Sequence, residues 1–202
     1  MIILICGFSA SGKSYLVNFV AKKFNYNYVH TSDILNQFAN GVSEKKIQID
    51  NTKRNNGWYE FSGLDTKRKN NHNLDKKLDK FLVKLVKTKD NLVLDSWTLP
   101  YLVKENPKII KIWLDATEKE RAKRLALRDK VTFAQAHKLL KEKDKFSKEH
   151  FQKLYGFNLG KDKQVFDLVI NTTPLSIKEV EKKTLDFLKK KIKWFFLLIF
   201  WL

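Results

Sequence analysis

Gly7-Phe8-Ser9-Ala10-Ser11-Gly12-Lys13-Ser14 fits the pattern G-x-x-x-x-G-K-[ST] of a phosphate-cradling loop. Its surroundings agree with it. Residues 1–6 are an apolar run that reads as a buried strand, and Leu16, Val17, Phe19, Val20 and Phe24 recur at helical spacing over residues 15–24. Strand, glycine-bearing loop and helix, in that order, are what phosphate capture needs. Gly7 and Gly12 let the backbone approach phosphate oxygens with no Cβ in the way. The amides of Ser9, Ala10, Ser11 and Tyr15, together with the helix N-terminus, are then expected to face negative charge. Lys13 is placed to reach the β- and γ-phosphates of a nucleoside triphosphate, and the Ser14 hydroxyl to ligate Mg²⁺.

Working outward, the remaining pattern alternates strand with helix. Strands are predicted at 26–30, 91–95, 109–114 and 166–170, and helices at 34–40, 74–87, 118–129, 133–153 and 176–193. Five short strands separated by helices argue a parallel sheet covered on both faces. Residues 41–73 are polar and irregular, with an aromatic island at Trp58-Tyr59-Glu60-Phe61. A long polar insertion carrying aromatics suits a substrate-binding segment, or a loop pinned to the body by apolar anchors.

The chain has 202 residues, enough for one α/β domain. Its single cysteine, Cys6, excludes an internal disulfide framework and suits a reducing, cytoplasmic setting, and the expected role of Cys6 is packing. The net charge is +18, which calls for a nucleic-acid reading to be weighed. Only five of the 40 basic residues are arginine, however, and the lysines are spread along every segment. Base readout and bidentate phosphate grip favour arginine. The lysines therefore read as a solvated surface, and nucleic acid is the less favoured partner.

Two acids stand where α/β sheets place ligands. Asp95 ends an apolar strand and Asp33 follows another. With Ser14 they form an oxygen-only set of the kind Mg²⁺ takes. Arg121, Arg124 and Arg128 are the one arginine cluster, and Arg124 and Arg128 share a helix face. Guanidinium groups suit a transferring phosphoryl, where charge is stabilised. Three of the four histidines, His72, His137 and His150, lie among charged neighbours and read as surface residues, with His150 near the phosphates if a lid closes.

The chain resembles the P-loop nucleoside monophosphate kinases, most closely the archaeal-type cytidylate kinases. The resemblance rests on the loop, on Asn25-Tyr26-Asn27-Tyr28-Val29 leading to Ser32-Asp33-Ile34-Leu35, and on Asn91-Leu92-Val93-Leu94-Asp95. It continues through Arg121-Ala122-Lys123-Arg124-Leu125-Ala126-Leu127-Arg128, Tyr155-Gly156 and Phe166-Asp167-Leu168-Val169-Ile170-Asn171-Thr172. It implies a three-layer P-loop sandwich with a five-stranded parallel sheet and a helical lid. The implied layout is one domain over residues 1–193, with an acceptor-binding insertion at about 34–88, a lid at about 130–156 and an apolar tail at 194–202. It implies ATP and Mg²⁺ as cofactors, and transfer of the γ-phosphoryl to a small phosphorylated acceptor such as CMP or dCMP. Lys13, Asp95, Arg124 and Arg128 would be catalytic. Arg124 and Asn171 would flank the adenine, and Arg128 would touch the phosphates.

The departures fall on the acceptor half. The resemblance puts arginines where this chain has Asn36 and Trp97, and further arginines in the lid where it has Lys143 and His150. Asp95 stands where the cytidylate kinases tend to carry Glu. Arg54 and Arg68, with Trp58 and Tyr59, are candidates for a rebuilt acceptor grip from the insertion, and Asp33, Asn36 and Trp97 are counted with them as substrate-binding. Two alternatives follow: a P-loop kinase for a non-nucleotide metabolite, and a nucleotide-dependent RNA-binding or assembly factor.

Residues 194–202 are nine apolar positions behind Lys189-Lys190-Lys191-Ile192-Lys193. As a helix they would reach about 14 Å, short of the roughly 20 residues a bilayer crossing needs. Aromatics beside a basic run fit an anionic membrane surface, and a tail packed on a partner subunit or an aberrant end of the gene are the competing readings. A monomer is the expected state.

Overall fold

The computed structural model describes residues 1–49, 64, 66–69, 71 and 73–200, with 195–200 described through their backbone. The apolar runs become five strands: β1 (Ile2–Gly7), β2 (Asn27–His30), β3 (Leu92–Asp95), β4 (Ile109–Asp115) and β5 (Leu168–Asn171). They form one parallel sheet in the order β2-β3-β1-β4-β5. β1 is buried along its whole length, which follows from its uninterrupted apolar sequence. Its side chains alternate between layers. Ile2 and Leu4 join one core and Ile3 and Ile5 the other.

On the first face lie α2 (Thr31–Ala39) and α3 (Asn73–Thr88), which contribute Ile34, Leu35, Phe38, Leu74, Leu78, Leu82 and Leu85 to the core. On the second lie α1 (Lys13–Phe24) and α7 (Ile177–Phe200), through Leu16, Val17, Val20 and Leu188. The three-layer α/β architecture is therefore as expected.

A short α4 (Leu99–Leu102), carrying Pro100 in its first turn, follows β3 and has no counterpart in the periodicity, being only four residues long. α5 (Glu118–Asp129) and α6 (Phe133–Tyr155) pack on each other through Ala122, Leu125, Ala136 and Leu140. The small alanines permit that approach. A left-handed Lys130 (φ 54°) ends α5, and a capping box between Thr132 and Gln135 starts α6.

Three local expectations change. α2 begins at Thr31, three residues ahead of the expected 34, with His30 as its N-cap, so Asp33 lies inside the first turn. Residues 66–69, within the stretch read as irregular, are helical. The last helix runs on through Phe200, past the boundary expected at 193. Among the described residues no helix is long and apolar enough to cross a membrane.

Candidate active site

The loop leaves β1 at the sheet's carboxyl edge, between β3 and β4, where α/β sheets open a crevice. Gly7 has φ 145°, and a Cβ there would collide with the Leu114 carbonyl oxygen of β4. Ala10 (φ 60°) and Gly12 (φ 103°) also take left-handed backbone, so successive amides turn toward one concavity. The loop closes on itself through Ser11 N–H donating to Phe8 O at 3.2 Å. α1 starts immediately, with no acid in its first turn to blunt its positive end. The buried Ser11 hydroxyl has no hydrogen-bond partner among the described residues. These features fit a polyphosphate tail.

Lys13 bends across this cup. Its Nζ donates to Phe8 O at 2.9 Å and lies 5.7 Å from the centre of the Trp97 ring. Burial pushes the ammonium down to about 8, and neighbouring Lys143 and Arg121 act in the same direction, against the pull of Asp95. Asp95 sits beside Ile5 of β1 in the sheet register. Its carboxylate accepts from Thr31 N–H at 3.0 Å and stands 3.5 Å from His30 Nδ1. Ser14 and Asp95 are oxygen donors on adjacent elements at this edge, and Asp33 is on the first turn of α2. Their chemistry fits Mg²⁺. Among the described residues no group of three or more acid, His or Cys side chains converges as a protein-only metal cage. That is compatible with an ion held mainly by phosphates and water.

The three arginines separate. Arg121 is buried under the loop, where Nη1 donates to Ser9 O at 3.2 Å, Nη2 donates to Asp144 of α6 at 2.6 Å, and the guanidinium lies 5.2 Å from the Phe8 ring centre. Arg124 donates to Thr172 Oγ1 and O at 3.0 and 2.8 Å. The Thr172 hydroxyl is 3.4 Å from Ser11 O, so Arg124 and the segment after β5 border the loop together. Asn171 lies there too, its side chain accepting from Thr173 N–H at 3.0 Å. Arg128 is half exposed and bonded to Asp129 at 2.6 Å, away from the loop's partners. Tyr15 is also turned outward, donating to Glu181 at 2.5 Å.

Beside the loop is a cavity of about 130 Å³. It is lined by Thr31, Ser32, Ser96 and Thr98, by Leu35, Leu64 and Leu78, by Trp97 and Phe151, and by the charged residues Arg68, Lys143 and Asp75. Trp97 is the partition between cavity and loop. Its indole N–H donates to Gly7 O at 2.7 Å, and its ring lies edge-on to Phe8 and Phe151. Asn36 is exposed on α2 and pairs with Asn40, outside this wall. Arg54, Trp58 and Tyr59 lie outside the described residues, as does His72.

Beneath the cavity is a buried polar network that sequence reading missed. Arg68 Nε donates to both oxygens of Asp75 at 3.2 and 3.1 Å, and His150 Nε2 is 2.8 Å from Asp75. His150 is thus buried rather than on the surface, because an acid on another helix awaits it. Burial alone would raise Asp75, but His150 and Arg68 outweigh it and hold the carboxyl below its usual range. Asp79, one turn on, accepts from Thr98 and from the Tyr155 hydroxyl, and burial pushes it up to about 6. The available signal was in α3 itself, where Asp75 and Asp79 lie on the apolar stripe of Leu74, Leu78 and Leu82.

Residues 2–174 match the cytidylate kinase-like family. The chain belongs to this family. A cytidylate kinase of Saccharolobus islandicus is 29% identical over 188 residues, covering 93% of this chain and 90% of its own. That of Sulfolobus acidocaldarius is 30% identical over 191 residues, covering 95% and 96%. A shikimate kinase of Bacteroides thetaiotaomicron superposes with a TM-score of 0.54 at 12% identity, covering 96% of this chain and 98% of that one, which supports the fold alone. The cytidylate kinase-like assignment makes the chain a phosphotransferase, and it gives the cup around Lys13 its chemical context.

Proposed function

We propose that this protein transfers the γ-phosphoryl of ATP to a nucleoside monophosphate, with CMP or dCMP as the preferred acceptor. The observation that carries this is the shared indole. Trp97 touches the phosphate loop on one side and walls the cavity on the other, so donor and acceptor sites adjoin. The cytidylate kinase relatives supply the acceptor class.

Lys13 and the loop amides would hold the donor's β- and γ-phosphates, with Arg124 and Asn171 bordering the nucleoside side. Ser14 and Asp95 would hold Mg²⁺, with Asp33 contributing from α2, and bound Mg²⁺ offsets charge on the phosphate oxygens. Arg128 would have to leave Asp129 to reach the phosphates. An acceptor that already carries phosphate needs no strongly activated nucleophile, so positioning and charge neutralisation carry the reaction. α6 would act as the lid, and the segment from α2 to α3 as the acceptor-binding insertion.

The test is ADP release with MgATP and each nucleoside monophosphate, alongside small alcohols. CMP or dCMP should give the highest kcat/KM. ATP turnover that no monophosphate stimulates rejects the proposal. The exchange of arginine for Asn36 and Trp97 favours one second reading, a kinase for a non-nucleotide metabolite, which stimulation by an alcohol alone would support.

A further inference from the structure

We propose that the acceptor's phosphate is gripped between Arg68 and Lys143, with His150 and Asp75 as positioning residues that brace Arg68 against the lid helix. This deepens the kinase reading and rests on it for the identity of the acceptor.

Among the described residues, the cavity is lined by two basic side chains from separate segments, Arg68 from helical residues 66–69 and Lys143 from α6, and by the carboxylate Asp75. Asp75 is itself shared between Arg68 and His150. Its negative charge is therefore spread over two partners. Lys143 Nζ lies 5.9 Å from the centre of the Trp97 ring, and Lys13 Nζ lies 5.7 Å from that same centre. Both ammonium groups border the same indole, and the charge of Lys143 is felt at Lys13, so an anion beside Lys143 is held near the donor loop. The two positions that resemblance assigns to arginine do not serve here. Asn36 points away from the wall, and the indole N–H of Trp97 is committed to Gly7 O.

Arg68 is fixed from several sides. Asp75 takes its Nε, and the guanidinium carbon lies 5.4 Å from the Phe146 ring centre and 5.5 Å from that of Phe151. Phe146, His150 and Phe151 all belong to α6, and His150 stacks 5.1 Å from Phe146. The lid helix therefore supplies one phosphate cation directly and orients the other through the His150–Asp75 hydrogen bond. A planar guanidinium held this way is a preorganised oxyanion partner.

The experiment combines steady-state kinetics with calorimetry. Arg68→Ala and Lys143→Ala should each raise the CMP KM about tenfold or more, the loss of one charge-assisted contact. Arg68→Ala should leave MgATP affinity within twofold. His150→Leu should raise the CMP KM similarly, and His150→Gln, which keeps a donor toward Asp75, should restore most of it. A merely structural role would instead weaken MgATP binding in parallel. CMP KM within twofold of wild type in Arg68→Ala and Lys143→Ala proteins that bind MgATP normally overturns the proposal. Should His150→Leu fail to fold, those two variants decide. If wild type turns over no nucleoside monophosphate, the kinase reading fails, and ribose 5-phosphate binding then judges the grip. Binding lost in both alanine variants supports it, and no binding by wild type overturns it.

Discussion

On the proposed function, Lys13 couples the protein's charge to its donor. Its ammonium titrates near 8 because burial and two neighbouring cations oppose the charge, whereas a triphosphate tail favours it. Below pH 8 the lysine is already charged and MgATP binding should leave its proton count unchanged. As pH rises through 8, binding must take up a proton, and affinity should fall by up to about tenfold per pH unit. Calorimetry in two buffers of different ionisation heat measures that proton. Lys13→Ala should abolish MgATP binding outright. Trp97→Phe keeps an apolar partition but removes the donor to Gly7 O. The loop then loses its lateral tie, and kcat should fall by about ten- to a hundredfold, the scale of an ångström-level misplacement. An unchanged kcat would leave Trp97 a simple wall.

At the scale of elements, α3 carries two buried carboxyls that titrate in opposite directions. Asp79 is raised to about 6, so the folded state binds an extra proton between its ordinary value and 6. Its contribution to stability is complete below about 4 and is lost as pH rises through 6. Asp75 is lowered, so its contribution is present above its ordinary value and lost as pH falls through its folded value. Urea unfolding from pH 4 to 7 should show a downward component from Asp79 that disappears in Asp79→Asn. On the same helix Leu82 is wholly buried, and Leu82→Ala should cost about 2–5 kcal/mol. The elements near the loop were legible because their signals are local. A six-residue apolar run can only be a buried strand once a glycine loop and an amphipathic helix follow. The network under the cavity was not. His150 sits among Lys148, Glu149 and Lys153, which read as solvent-facing, and its partner is 75 residues away. The turn at 66–69 was hidden likewise, since Thr66, Lys67 and Lys69 announce no apolar stripe, and the pairing of Arg68 with Asp75 and its packing on two rings come from distant segments.

Over the whole molecule the surplus of +18 makes a general attraction for anions unavoidable. Diffuse lysine charge should retain RNA at low salt, with affinity falling steeply as salt rises. Sub-micromolar retention at about 0.2 M salt would instead argue for a dedicated RNA surface. The family's fold survives at low identity because the sheet and loop depend on backbone geometry. The proposed acceptor cavity depends on individual side chains, which a backbone likeness does not carry over. Cys6 lies at the junction of these parts. It is wholly buried at the end of β1, its sulfur 3.7 Å from the Trp97 carbonyl oxygen, and burial pushes its thiol to about 12. A thiol reagent therefore meets no thiolate while the partition is shut, and it can react only during excursions that expose the strand's end. As the chain has one cysteine, its labelling rate is a built-in stopwatch for those openings, and ligands that clamp the two halves together should slow it.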